Sequence, residues 1–155
     1  MMVRLNDLPE TDQKHLLSKE CPPFESQPWV AGPPLSERRV ALITTAGLQT
    51  KGEDSFNFTD TSYRVIPNDS DTNNLLMSHT SVNFDRTGFQ QDINVVFPID
   101  RLKELEAAGT IGSIAQFHYA FMGAGSHPHD YEKTAREVAG YLKKDNVDAV
   151  FLTPV

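Results

Sequence analysis

Five histidines in 155 residues are the first candidates for chemistry, because a neutral imidazole both ligates metals and carries protons near neutral pH. His127-Pro-His129 with His118 and His79 is the best metal set available. No Cys or Glu accompanies the pair at a spacing used for zinc, so His127 and His129 read as solvated loop residues and no metal is expected. His79 differs, because it follows Ser78 at the end of the apolar stretch Leu75-Leu-Met77. An imidazole there could donate a proton, orient a carboxylate substrate, or anchor its loop by hydrogen bonds. Asp92 and Asn94 stand two apart before Val95-Val96, so an extended segment would turn both to one side. They could hold a substrate ammonium or a thiol's polar end, and equally could cap the next helix. Asp85 and Arg86 have a weaker claim. Arg64, beside Tyr63, presents a planar fork for a carboxylate or for a surface ion pair. Cys21, next to Pro22-Pro23, has no second cysteine to pair with and reads as an incidental thiol.

Glycines and threonines mark a second group. Gly47 and Met122-Gly-Ala-Gly125 fall where strands end, and backbone amides in such turns can face an anion. The lone GxG lacks the rest of a dinucleotide fingerprint, so no nucleotide cofactor is expected and turn geometry accounts for the glycines. Thr44, Thr45 and Thr153 sit at strand ends, where a hydroxyl reaches a pocket or satisfies local backbone. The substrate-pocket candidates are therefore Thr45, Gly47, His79, Asp92, Asn94, Met122, Gly123 and Thr153, with no catalytic residue and no metal site among these 155 residues.

The elements that must position them follow from periodicity. Arg39 to Thr45 is almost continuously apolar, as in a strand buried on both faces. Gln49 to Gln91 is polar and turn-rich, interrupted by Tyr63 to Pro67 and Leu75 to His79 as edge strands or loop anchors; its length marks a binding surface. Pro98 and Gly109 bracket a helix whose Ile99, Leu102, Leu105 and Ala108 share a face. Ile114 to Met122 reads as a strand feeding the glycine loop. Tyr131, Ala135, Val138, Ala139 and Leu142 repeat at helical spacing from about Asp130 to Lys144, and Val147 to Thr153 is again strand-like. The pattern predicts an α/β domain over 37–155: a partial open parallel sheet with flanking helices, Rossmann-like or flavodoxin-like. Residues 1–36, broken by Pro9, Pro22, Pro23, Pro28, Pro33 and Pro34, form an N-terminal arm with one short helix around Asp12 to Ser18. Its Leu16, Leu17, Phe24 and Trp29 call for packing on the domain or on a second subunit.

A net charge of −7 repels phosphate backbones and anionic lipid, excluding nucleic acid and membrane surfaces as favoured partners. No signal segment or 18-residue apolar run is read, so the expected location is the cytoplasm.

Several segments, in order, resemble the selenoprotein B family of glycine, betaine, sarcosine and D-proline reductases: Val40 to Gly47, Tyr63 to Pro67, Ser78-His79, Asp92 to Asn94 with Phe97 to Asp100, Phe121 to Gly123, and Val147 to Val155. The resemblance covers about residues 36 to 155. It implies that selenocysteine or cysteine directly follows the strand ending at Val155, with a further cysteine behind it. It also implies substitution at carbon or sulfur by a selenolate or thiolate, on a substrate activated by a partner subunit. Selenocysteine is encoded by UGA, which an ordinary reading treats as stop, so truncation at the catalytic codon is the expectation. Two other readings stay open. One is a non-catalytic assembly subunit, a homo-oligomer whose sheet edge is covered by another chain; the other is a small-ligand or anion-binding module using Gly123 to Gly125. The substrate among these small molecules is not legible.

Overall fold

The sheet is built on the segment that is most apolar in the sequence. In the computed structural model, which describes residues 4–19, 23, 29–81 and 85–155, strand β1 (Arg39–Thr44) lies at the centre with Val40, Ala41, Leu42 and Thr44 buried. Two short strands, β2 (Leu48–Thr50) and β4 (Leu75–Met77), form a separate antiparallel pair, and β3 (Tyr63–Pro67) lies between them in sequence. The expected strand from Ile114 to Met122 is divided into β5 (Ser113–Ile114) and β6 (Phe117–Phe121). Strand β7 (Ala149–Thr153) completes the set. Parallel pairing joins β1 to β5 at its start, to β6 at Ile43↔Tyr119, and to β7 from Val40↔Ala149 to Thr44↔Thr153. β3 closes the far side antiparallel to β6.

Across the sheet the order is β3, β6, β1, β7. The three parallel strands therefore run second, first, third in chain order, as in a flavodoxin-like doubly wound sheet. Such a reversal about β1 is where open sheets place their crevice, here at the carboxyl ends of β1 and β7.

Among the described residues four α-helices accompany the strands: α1 (Glu10–Leu17), α2 (Thr87–Gln91), α3 (Ile99–Ala107) and α4 (Glu132–Lys144). One face of the sheet packs Val40, Leu42, Ile66 and Ala120 against Phe97, Ile99 and Leu102. The other packs Tyr119 and Phe121 against Val138 and Leu142 of α4, with Tyr63 and Tyr131 completing an aromatic cluster. α3 stops where Gly109 takes φ +68, a conformation that costs glycine nothing. None of the described helices is long and apolar enough to cross a membrane.

At β7 the apolar pattern is left uncovered. Phe151 lies on the Leu42 side and Val150 and Leu152 on the Ile43 side, and all three are exposed. In the arm, Leu16, Leu17 and Trp29 are also exposed, so these three do not pack on the domain; Cys21 and Phe24 lie outside the described residues.

Candidate functional site

The crevice is made where three strands end together. β1 runs out at Thr44, and the chain then bends so that Ala46 bridges Met122 just beyond β6. Gly47, at φ +63, donates its N–H to Phe121 O at 2.9 Å and accepts from Ser78 N–H through its own carbonyl at 2.9 Å. This brings Ser78 and His79 against the strand ends. A Cβ on Gly47 would come within 3.1 Å of the His79 backbone N and 3.4 Å of Met122 Sδ. A Cβ on Gly123 would fall 2.7 Å from Thr45 Cβ. Both glycines are therefore required by close approach, a packing role that the sequence treats only as turn geometry.

Thr45 occupies the centre. Its hydroxyl accepts the Val155 N–H at 2.8 Å, and its own N–H reaches Thr153 O at 3.1 Å. Thr153 Oγ1 donates back to Ile43 O at 3.3 Å. His79 is buried beside them, with Nδ1 accepting the Ser81 N–H at 3.3 Å and Arg86 Nη2 donating to its carbonyl. Burial holds the His79 imidazole below its ordinary pKa, the Arg86 guanidinium adds to that, and a hydrogen bond to the Val155 backbone opposes both. His79 is accordingly uncharged at neutral pH.

Of the sequence-predicted residues, Thr45, Gly47, His79, Met122, Gly123 and Thr153 come together here. Asp92 and Asn94 do not. They lie in a 3-10 turn rather than an extended segment. Asp92 Oδ1 accepts the Asn94 N–H at 2.9 Å, and Asn94 Oδ1 accepts the Asp100 N–H at 3.0 Å in the first turn of α3. The shared side expected for them is replaced by a local cap, because the Asx hydrogen bond competes with extended backbone. Arg64 is taken up locally as well, lying over the Phe56 ring at 4.2 Å and donating to Asp54 O.

The histidines separate rather than converge. His118 is fully buried in the sheet, His127 and His129 stack on one another in the loop before α4, and no metal-binding group of three occurs among the described residues. Sequence reasoning missed two contributors. Tyr131, counted only as a helix-core residue, donates its hydroxyl to Met122 O and so ties the glycine loop to α4. Val155 is itself held in the crevice by Thr45, a contact between chain segments 110 residues apart that no local pattern announces.

A groove of about 390 Å³ lies elsewhere, between Val65, Phe117, Tyr119 and the end of α4 at Tyr141, Lys144 and Asp145. It opens at the amino end of β6. Ligands of open α/β sheets bind beyond the carboxyl ends of the strands, which favours the crevice. Chemically, that crevice offers two threonine hydroxyls, a neutral imidazole and a thioether, with no thiol and no carboxylate among its described residues. With the Arg86 guanidinium held against His79, it is a polar wall suited to holding a substrate or a reactive group supplied from beyond it.

This geometry defines a doubly wound α/β protein, with the candidate site at the switch point of the sheet. The family model for glycine/sarcosine/betaine reductase selenoprotein B matches residues 21–155, and the chain belongs to that family. It is 40% identical over 121 residues to the D-proline reductase subunit gamma of Acetoanaerobium sticklandii, covering 77% of this chain and 49% of that protein. It is 34% identical over 123 residues to the glycine reductase complex component B subunit gamma of Symbiobacterium thermophilum, covering 77% of this chain and 29% of that protein. A betaine reductase complex component B subunit beta of Peptoclostridium acidaminophilum is 33% identical over 70 residues, covering 45% of this chain and 16% of that one. The chain thus spans about half the length, or less, of these curated relatives. No solved structure matches it.

Proposed function

We propose that this chain is part of a reductase component acting on a small amino acid or N-methylated amino acid, with a selenolate or thiolate borne directly after Val155. The observation that carries the reading is the hold of Thr45 on Val155, beside the Thr153 end of β7 and the buried His79, in a crevice with no thiol of its own among the described residues. A selenolate is ionised at neutral pH without a neighbouring base, so no general base is needed beside it. The curated relatives carry names of D-proline, glycine and betaine reductases, and these three compounds share a carboxylate next to a nitrogen-bearing carbon. The exposed Val150, Phe151 and Leu152 support a sheet that continues beyond β7 in the whole protein. The protein acts in the cytoplasm beside a partner reductase subunit, and the arm over 1–36 is a separate element reaching a partner or a second copy. No cofactor is implied.

The full gene product, purified from its own organism, is expected to bring partner subunits with it. It is also expected to consume one of the three compounds while a dithiol is oxidised. Purification as a lone chain inert towards all three would refute the reading. The exposed β7 also accommodates a second reading, a non-catalytic assembly subunit whose sheet edge is capped by another chain; copurifying partners without substrate consumption would select it.

A further inference from the structure

Resting on that reading, we propose that Thr45 is a positioning residue: it clamps the Thr153 to Val155 end of β7 so that the group carried just beyond Val155 meets substrate in one backbone geometry. The ladder between β1 and β7 has its last pair at Thr44↔Thr153. Past that point β1 is lost to β7, since Ala46 has turned to Met122 and its N–H is taken by Thr44 Oγ1 at 3.1 Å. The Thr45 side chain replaces the missing main-chain acceptor. Its hydroxyl oxygen takes the Val155 N–H at 2.8 Å and lies 3.4 Å from Val155 O, extending the pairing two residues beyond the strand.

That hydroxyl cannot swing aside freely, because Gly123 packs against it so closely that a Cβ there would lie 2.8 Å from Thr45 Oγ1. His79 packs beside this pair, with Nδ1 accepting from Ser81 and its main chain set against Gly47 and held by Arg86. The Thr45 side chain need not touch substrate. Reacting atoms misplaced by about 1 Å can cost about a hundredfold in rate, so a fixed strand end is worth building.

The test pairs amide exchange of Val155 with kinetics of the full gene product, using Thr45→Val and Thr45→Ser. Leu42 amide exchange serves as the monitor of global unfolding. Thr45→Val is expected to speed exchange at Val155 by about tenfold or more while Leu42 stays protected, and Thr45→Ser to restore it. In Thr45→Val kcat should fall about 10- to 100-fold with KM little changed. Unchanged Val155 exchange in Thr45→Val overturns the clamp, and full kcat despite lost protection overturns its positioning role. If the full product carries no selenocysteine or cysteine after Val155, the proposed function fails, and the Val155 exchange data alone decide the clamp.

Discussion

Replacing His118 with leucine is expected to cost about 2 to 3 kcal/mol at pH 7 and to reduce the protein's sensitivity to acid. The reason lies in the break between β5 and β6. Around Ala115 and Gln116 the paired strand leaves the ladder, and Leu42 N–H at the centre of β1 would have no main-chain acceptor there. His118 fills that place: its Nδ1 accepts the Leu42 N–H at 3.0 Å, its Nε2 faces Asn68 Oδ1 at 3.4 Å, and the Phe97 ring meets it edge-on. Leucine matches the volume but leaves a buried donor unsatisfied.

Burial lowers the His118 pKa from 6.5 to about 4, with Lys103 and Arg39 adding to the shift and Asp145 opposing it. Below pH 6.5 the unfolded chain takes up a proton that the native one refuses. Stability from this group is therefore intact above pH 6.5 and falls as pH drops towards 4, by roughly 3 kcal/mol in all. His79, lowered in the same direction, contributes further. Denaturant unfolding at pH 7 and at pH 4.5 should show a large difference for the natural protein and a smaller one for His118→Leu. Equal differences in the two proteins would show that His118 is not the buried neutral imidazole described.

The second large effect is expected at Gly123. An alanine there would place its Cβ 2.7 Å from Thr45 Cβ and 3.1 Å from Thr45 O, and Thr45 is held by Val155 and by β1, so it cannot yield cheaply. Gly123→Ala should destabilise by about 2 kcal/mol, in the usual range for overpacking, and release Val155. Because the clash is largely with one side chain, much of the cost should vanish in a Thr45→Gly background. Strict additivity of the two substitutions in unfolding measurements would place the strain elsewhere.

Much of this architecture is written in periodicity. The run Val40 to Thr44, the apolar face of α4 and the Pro98 and Gly109 brackets of α3 are legible because burial on a strand or helix face repeats at a fixed spacing. The gathering of Thr45, Gly47 and Gly123 follows from strand ends in an open sheet, which the element order already implies. His118 was illegible, since nothing in Phe117-His-Tyr119 reveals that its ring replaces a ladder acceptor across the sheet. Of the two readings open for Asp92 and Asn94, the structure takes the cap: a two-residue spacing faces one way only in extended backbone, and here the Asp92 side chain closes a tight turn while Asn94 caps α3. The division of β5 from β6 was hidden for a similar reason: Ala115 and Gln116 carry no turn residue, and the break is set by pairing with β1.

The central claim concerns what stands beyond Val155, and one peptide addresses it. The full gene product, reduced, alkylated with iodoacetamide and digested with trypsin, should yield a peptide beginning at Asp145, after Lys144. Mass spectrometry is predicted to show alkylated selenocysteine or cysteine immediately after Val155. A peptide ending at Val155, or continuing with any other residue, would contradict the account.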